Sequence, residues 1–320
     1  IWRPQPYIAQ SFDSTVGTSI ASNYDDMVQL SVPATLGFSK TAAWKLNAKE
    51  LRDALQEGRL GDAAKQKLAS DINVAVMNVA ATQGTLVVAT AGAAGDYDDV
   101  ALCDTIMNEQ GVPNYDRYLA LSSRDYNGLA GNLAASTRSF GNTKSDKAYE
   151  RSYVGMVAGF ETYKLDYAQR ITAKAGSATI ATNGAQVRFV PASTTNSVAG
   201  KLNVDNRFQQ VTVSATAGIV AGDAFTVAGI EAVNHITKLS TGQLKTFRVI
   251  SVDSGTTMTI SPPMIGANSS PTDAELSYKN INVASTSATA AIVFLNQNAT
   301  SINPFWQKDA IEILPGRYAV

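Results

Sequence analysis

The sequence predicts a mixed α/β protein with a β domain inserted into it, and three observations support this. A long helical pattern over 62–84 is followed by alternating strand and helix patterns up to residue 165, as in a layered α/β region. From about 166 to 287 nearly every segment alternates apolar and polar residues, as half-buried strands do. The closing stretch, 305–313, returns to mixed character, so the β region interrupts the α/β region.

The net charge of the chain is close to zero, and this limits its partners. Lys and Arg number 26 and Asp and Glu number 27, which gives −1 over 320 residues and argues against a general binder of polyanions. Charged residues make up 17% of the chain, against about 25% in a typical soluble domain. Such a surface suits a protein that packs against copies of itself, and it equally suits a secreted β protein.

Disulfide, membrane and leader signals are absent from the sequence. Cys103 is the single cysteine, so no intrachain disulfide is expected, and a buried position is the expected one. No stretch reaches ~20 uninterrupted apolar residues, so no membrane-spanning segment is predicted. The chain opens at Ile1 without a basic-then-apolar leader, and we therefore expect an interior piece of a longer polypeptide, or a protein whose ends lie outside this sequence.

The stretch 46–90 predicts two helices and a strand. Asn47 and Glu50 have the spacing of a capping box for a first helix, and Gly58 and Gly61 indicate its end and a break.

A long second helix is predicted between Asp62, as its cap, and Gly84, which would end it in the left-handed conformation. At 1.5 Å per residue it would be ~33 Å long. The β-branched run Thr85 to Thr90 predicts a buried strand. One apolar stripe at three- and four-residue steps predicts the packed face of this helix: Leu68, Ile72, Ala75, Val76 and Val79.

Both sides of this stretch carry further signals. Residues 1–13 predict an extended arm, and a β-hairpin or long loop is predicted over 27–46, where Val28, Leu30 and Val32 alternate with polar residues. Downstream, we predict a helix capped by Asp96 or Asp98, a strand over 118–121, a helix over 123–133 and a strand over 159–165.

Within the β region, alternation and turn residues predict a small barrel or sandwich. Val211 and Val213 are expected to face the core, with Thr212 and Ser214 on the other side. The run Asp253-Ser254-Gly255 predicts a hairpin turn between two strands.

Side chains for catalysis or metal binding are sparse. His235 is the single histidine, which excludes multi-histidine metal motifs, and a surface or turn position is expected for it. Gly92 and Gly95 follow a strand pattern, but their spacing matches no nucleotide-binding fingerprint. The adjacent pairs Asp25-Asp26 and Asp98-Asp99 diverge and make poor metal or acid–base dyads. We therefore expect no catalytic residue, cofactor or metal, and hence not an enzyme.

Five stretches resemble the major coat protein of the P22 group of short-tailed phages. Residues 201–208 read Lys-Leu-Asn-Val-Asp-Asn-Arg-Phe and are followed by Val211–Thr216 and Gly222-Asp223. Phe305–Ile311 closes the chain, and Leu51–Asp53 precedes the long helix. The resemblance covers essentially all of 1–320 in order.

This resemblance implies an α+β capsid fold of the HK97 type, with an extended loop, a peripheral domain with a long spine helix, an axial domain and an inserted antiparallel β-barrel. The implied divisions are an arm at 1–26, the extended loop at 27–46, the peripheral and axial core at 47–165, the barrel at 166–286 and a return to the core at 287–320.

The resemblance further implies a major capsid protein that assembles into an icosahedral shell around double-stranded phage DNA. Its expected partners are identical subunits in hexamers and pentamers, a scaffolding protein, a portal protein and DNA without base-specific contacts, with no membrane. The expected location is the virion capsid, after assembly in the host bacterial cytoplasm.

The expected contacts between subunits involve aromatic residues of the arm and loop and one charged pair. Family members use acidic residues in a loop of the inserted domain, but the corresponding stretch here, 190–200, contains no charged residue. The nearest charged candidates, Asp205 and Arg207, have bonding within their own turn as an alternative role. The candidate contact residues are Trp2, Tyr7, Phe38, Trp44, Asp205 and Arg207.

Two other classes of function stay open at this point. A β-rich tail or surface module that binds glycans would need exposed aromatic residues in a groove, and the β region has few aromatic residues and no tryptophan. A hydrolase would depend on His235, the one histidine of the chain.

Overall fold

The computed structural model describes residues 54–90, 92–135, 143–174, 180–181, 187, 205–267, 269–271, 273–284, 286, 289–314 and 316, together with 32, 37, 39–43 and 45. Within them the protein is a mixed α+β structure with a four-stranded and a six-stranded sheet, each covering its own core. None of the described helices is long and apolar enough to cross a membrane.

The helices are α1 (Ala54–Gln83), α2 (Tyr97–Glu109), α3 (Ser123–Ala135), α4 (Thr143–Arg151) and α5 (Asp273–Tyr278). The strands are β1 (Arg117–Ser122), β2 (Met156–Val157), β3 (Phe160–Leu165), β4 (Arg170–Ile171), β5 (Ile180–Ala181), β6 (Gln209–Thr212), β7 (Ala224–Val233), β8 (Ser240–Val252), β9 (Thr257–Ser261), β10 (Ala291–Phe294), β11 (Thr300–Ser301) and β12 (Phe305–Gln307). The predicted elements at 118–121, 123–133 and 159–165 are confirmed as β1, α3 and β3.

Helix α1 runs without interruption for 30 residues, so the predicted break before Asp62 is wrong. A glycine inside a helix costs about 1 kcal/mol relative to alanine, and no tertiary contact adds to that cost, because nothing lies within 4 Å of a Cβ built at Gly58 or Gly61. Asp62 is not a cap but lies inside the helix, where its carboxylate faces the Lys65 ammonium one turn later at 3.4 Å. The predicted first-helix cap at Asn47 lies outside the described residues.

The end of α1 is at the predicted place but has a different geometry. The Gly84 N–H donates to the Ala80 carbonyl at 3.0 Å, yet Gly84 is not among the glycines with positive φ, so the predicted left-handed ending is wrong. A Cβ at this position would lie 2.7 Å from the Ala80 oxygen, so close approach of the backbone is what requires glycine here. The strand predicted over 85–90 is also wrong, because these residues join no described ladder.

The four-stranded sheet has the order β12-β1-β3-β2. Strands β1 and β3 are parallel in the register Arg117↔Phe160 to Ser122↔Leu165, and the chain between them carries α3 and α4. Parallel neighbours need such a crossover. β12 and β2 add to the two outer edges in antiparallel orientation.

Helices α2 and α3 cover one face of this sheet. Asp96 is the N-cap of α2, and its N–H donates to the Asp99 carboxylate at 3.4 Å, so the first of the two predicted caps is confirmed. The core beneath the two helices is made of Val100, Met107, Leu119, Leu121, Tyr126, Leu129, Ala130, Val154, Val157 and Phe160.

The six-stranded sheet has the order β5-β10-β7-β8-β9-β6, with antiparallel pairs throughout. Val211 and Val213 are fully buried and Ser214 is exposed, which confirms the predicted alternation. The predicted turn is also confirmed, because Asp253 and Ser254 donate from their N–H groups to the Thr257 carbonyl between β8 and β9. Phe225 and Phe247 stack at the centre with ring centroids 5.6 Å apart.

The described strands of this sheet form an open order rather than a closed barrel. Its strands include β10, which pairs with β7 through Ile292↔Val227 and lies beyond the predicted domain boundary at residue 286. A separate two-stranded sheet pairs β4 with β11 in antiparallel orientation, in the register Ser301↔Arg170.

Arg117 joins α2 to β1 from a fully buried position. Its guanidinium donates to the Pro113 carbonyl at 2.8 Å, the Val112 carbonyl at 2.6 Å and the Asn108 side chain at 2.8 Å, and it forms an ion pair with Asp104. A buried guanidinium is tolerated only when its donors are satisfied in this way.

Replacing this guanidinium should destabilise the α2–β1 unit. For Arg117→Met we expect the free energy of unfolding in urea to fall by about 3–5 kcal/mol, because two backbone carbonyls and Asn108 lose their donor. The exposed Arg59→Met is the matched control and should change stability by less than about 0.5 kcal/mol. Equal unfolding midpoints for the two variants would contradict the role given to Arg117.

Candidate intersubunit surfaces

Four of the six candidate contact residues, Trp2, Tyr7, Phe38 and Trp44, lie outside the described residues. The structure describes the other two, Asp205 and Arg207, and brings them together in one turn. The Arg207 Nη2 lies 2.6 Å from Asp205 Oδ2, Nε lies 3.0 Å from Oδ1, and the Arg207 N–H also donates to Oδ1 at 3.0 Å.

This pair is partly open to solvent, with 46% of the Arg207 side chain and 22% of the Asp205 side chain exposed. The hydrogen bond to Asp205 raises the pKa of Arg207, and the guanidinium also lies 5.0 Å from the Phe208 ring centroid. The structure thus shows the local bond that the sequence left as an alternative, and a contact with another subunit stays a prediction.

The apolar stripe of α1, defined by Leu68, Ile72, Ala75, Val76 and Val79, is not covered as the sequence predicts. Ile72 and Val79, two helical turns apart on the same side, are 48% and 51% exposed, and the other three are half-buried. Among the α1 side chains whose burial the structure describes, Ala81 near the end of the helix is the one that is fully buried. Contiguous exposed apolar residues with polar surroundings are typical of protein interaction sites.

The end of α1 is held by β8 through hydrogen bonds to backbone carbonyls. Arg248 donates from Nε to the Gly84 carbonyl at 3.1 Å and from Nη1 to the Gly222 carbonyl at 2.8 Å. Next to it, Thr246 Oγ1 donates to the Thr85 carbonyl at 2.6 Å. Carbonyls at a helix end have no partner within the helix, so these donors anchor α1 to the six-stranded sheet.

Helix α2 ends against the same sheet. The Asn234 side-chain amide donates to the Glu109 carbonyl at 2.9 Å, and the His235 N–H donates to the Gln110 carbonyl at 3.1 Å. Lys245 of β8 donates to Gln110 Oε1 at 3.0 Å. His235 itself lies in an exposed turn, which confirms the position predicted for it.

Lys245 and Arg248 are desolvated at the junction, the place where the ends of α1 and α2 meet the six-stranded sheet. Burial lowers the pKa of Lys245 to about 8 and that of Arg248 to about 10. Burial also raises the pKa of Asp223, which accepts from the Asn296 amide at 2.9 Å and from the Val220 N–H at 2.9 Å. The sequence pattern alone did not single out Lys245 and Arg248. The signal for them is the presence of two cations within the apolar run of strand β8.

No group of three His, Cys, Asp or Glu side chains that could hold a metal ion occurs in the described ranges. Cys103 is half-buried against the core of the four-stranded sheet, and burial together with nearby Asp99 raises the pKa of its thiol to about 12. Such a thiol stays protonated near neutral pH and is a poor nucleophile.

The chain is similar to several known proteins. A family model described as "P22 coat protein - gene protein 5" matches residues 1–320. The CUS-3 coat protein I-domain is similar at 37% identity over 38% of this chain and 98% of that chain, with a TM-score of 0.30. The capsid protein of cyanophage P-SCSP1u is similar at 15% identity over 72% of this chain and 75% of that chain, with a TM-score of 0.27.

The junction gives the stability of the subunit a defined pH dependence. The pKa of Lys245 is about 8 in the folded chain, against an ordinary value of 10.5. Between these values the unfolded chain binds more protons, so the contribution of this group to stability rises with pH. We expect the free energy of unfolding of the parent chain to rise by up to about 3 kcal/mol from pH 8 to 10.5, relative to Lys245→Met.

The exposed Lys147→Met is the matched control, and its pH profile should run parallel to that of the parent chain. Lys238, whose pKa burial also lowers to about 8, is present in all three proteins and cancels in the comparison. Parallel profiles for the parent chain and Lys245→Met would show that Lys245 is not desolvated.

Proposed function

This chain belongs to the P22 coat protein family and is a major capsid protein, and from that premise we propose how its surfaces build the shell. The observation that carries the proposal is the family match over 1–320, and the uncovered stripe of α1 agrees with it. Self-assembly of identical subunits is implied by the family. We propose that the shell is icosahedral, built of hexamers and pentamers, and encloses double-stranded DNA.

The assembly works by burial of surface and by geometry, without catalysis. The side chains of the α1 stripe are partly solvated in the single subunit, and each Å² of apolar area covered by a neighbour contributes roughly 25 cal/mol. Summed over many identical contacts with closed symmetry, modest pairwise energies give a stable shell.

For the fold, we propose the HK97-type arrangement with an inserted β domain built on the open six-stranded sheet. The 30-residue α1 supports a spine helix, and the separate core under the six-stranded sheet supports an inserted domain. We place the extended loop at 27–46 and the inserted domain from residue 166, with its pairing extending to Phe294 because β10 belongs to that sheet.

For the remaining partners, we propose a scaffolding protein and a portal protein during assembly in the host cytoplasm. The net charge of −1 supports a shell that encloses DNA without neutralising it and without base-specific contacts. Trp2, Tyr7, Phe38 and Trp44 are proposed as contacts between subunits, and Arg207 is proposed to offer its exposed edge to a neighbour while bound to Asp205.

The shell can be tested directly by electron microscopy. The full-length protein mixed with the scaffolding protein of its own phage is expected to form closed shells of uniform diameter, because identical contacts repeat with closed symmetry. Scaffolding protein alone is the control. A subunit that stays monomeric at high concentration under these conditions would argue strongly against the proposed function.

The stripe of α1 can be tested with a matched pair of substitutions. Ile72→Glu places a charge on an apolar residue that is 48% exposed, so the subunit should fold while shell formation falls at least about tenfold. Ser70→Glu is the control, because it adds the same charge about 200° away around the helix. Far-ultraviolet circular dichroism checks folding, and sedimentation with electron microscopy measures shells.

If Ile72→Glu assembles as well as Ser70→Glu, the stripe is not a contact between subunits. The family assignment would be untouched by that result, because it depends on the whole chain.

A further inference from the structure

The four-stranded sheet has a second face, opposite to the core that it shares with α2 and α3. Leu119, Leu121 and Phe160 point into that core. On the opposite side each strand places one large side chain, and we call these four residues the outer face: Trp306 of β12, Tyr118 of β1, Tyr163 of β3 and Met156 of β2. Tyr163 and Met156 are 47% and 60% exposed, and the other two are half-buried.

Three rings form a continuous row across this face. The centroid of the Tyr118 ring lies 6.0 Å from that of Trp306 and 6.2 Å from that of Tyr163. Parallel strands such as β1 and β3 occur almost only in sheets whose two faces are both covered. Tyrosine, tryptophan and methionine are also enriched in the cores of protein interfaces. The outer face therefore has the topology and the composition of a surface that another layer covers.

The α1 stripe supplies a matching surface. Lys65, Ile72 and Val79 follow one another at seven-residue steps, so each lies only about 20° from the next around the helix. The line that they form is ~21 Å long, close to the ~20 Å of a six-residue strand such as β1. Ile72 and Val79 are about half exposed, so this line is open over the same length as the face.

The two surfaces also carry opposite charges. Glu161 is exposed on the outer face, in register with Tyr118 and Met156. A hydrogen bond to its carboxylate raises the pKa of the Tyr163 hydroxyl. Lys65 brings an ammonium group to the line on α1, where its contact with Asp62 at 3.4 Å is an exposed pair that contributes little and can be exchanged.

We propose that in the shell the outer face of one subunit receives the α1 stripe of a second copy of this chain. This inference rests on the proposed function. The helix of the neighbour adds the missing layer to the sheet, with Ile72 and Val79 against the row of rings and Lys65 next to Glu161.

A second copy is the occupant because both surfaces are exposed in the same subunit. The end of α1 is fixed to β8 through Arg248, and with α1 held there the stripe and the outer face both stay in water. When every subunit gives its stripe to one neighbour and receives one from another, the contact is heterologous and can close into a ring.

The area is sufficient for the core of such an interface. From the exposed fractions, the face and the stripe together offer roughly 600 Å² of apolar surface, more than a third of the ~1,600 Å² in a standard protein interface. Polar residues around the patch supply the remainder, as the rims of interfaces usually do.

Cross-linking in assembled shells of the full-length protein tests the contact. In a Cys103→Ser background, Ile72→Cys is combined with Tyr163→Cys or with Met156→Cys, and the shells are treated with a short bismaleimide, which tolerates small differences in register. We expect a ladder of covalent oligomers on a denaturing gel, because a heterologous contact links each subunit to two others.

Ile72→Cys combined with Tyr149→Cys is the control, because Tyr149 is 86% exposed but belongs to α4 and not to the outer face. At least one outer-face pair should give at least about tenfold more intermolecular product than the control, since cysteines held in contact meet at a high effective concentration. Cross-links within one chain, or shells in which neither pair exceeds the control, would overturn the proposal and leave the capsid function standing. If the parent chain forms no shells, the proposed function fails and this inference fails with it.

Thiol labelling of the free subunit separates a neighbouring copy from a segment of the same chain. The Tyr163→Cys variant of the full-length protein, again with Cys103→Ser, should react with a bulky maleimide as fast as Tyr149→Cys before assembly and at least about tenfold more slowly in shells. Slow labelling in the free subunit would show that the chain covers its own outer face and would overturn the proposal.

A charge exchange gives a measurement that needs no cysteine. Lys65→Glu and Glu161→Lys should each lower the yield of shells by at least about tenfold, and the double variant should recover to within about threefold of the parent. Lys67→Glu is the control, because Lys67 lies about 200° from Lys65 around the helix, so Glu161→Lys should not rescue it. A double variant that assembles no better than the two single variants would overturn the proposal.

Discussion

The tertiary structure of the subunit depends on the hydrogen bonds that the backbone carbonyls at the ends of α1 and α2 accept. Both helices end against the six-stranded sheet, where Arg248 and Thr246 bind the carbonyls after α1 and Asn234 binds the last carbonyl of α2. Each bond joins residues more than 100 positions apart in the chain, so the junction forms only when both parts are folded. The junction carries an energetic cost, because the ammonium group of Lys245 is desolvated where it donates to Gln110.

This junction determines what the subunit leaves exposed. The end of α1 is anchored to the six-stranded sheet, while the stripe before it stays partly in water, as the exposure of Ile72 and Val79 shows. This exposure would be a liability in a protein that stays monomeric, and it is expected in one whose final environment is a neighbouring copy.

Local signals predicted much of the fold correctly. The capping residue Asp96, strand β1, helix α3, the alternation of Val211 with Val213 and the turn at 253–255 each depend on a few adjacent residues. The errors share a different cause. Gly58 and Gly61 disfavour a helix only slightly, so α1 continues through them. The β-branched run after Gly84 forms no strand, because no described strand edge lies beside it to pair with. Of the proposed contact residues, only Asp205 and Arg207 are described, and their bond to each other was among the alternatives.

The sequence by itself determined the class of protein and the positions of most elements. Periodicity and capping act within one or two turns of chain, and the resemblance to phage coat proteins lies in short runs such as 201–208. Only the tertiary structure decided which surfaces are left without a partner. Lys245 and Arg248 acquire their roles from chain segments far away in sequence, because desolvation and hydrogen-bond satisfaction depend on what is nearby in space.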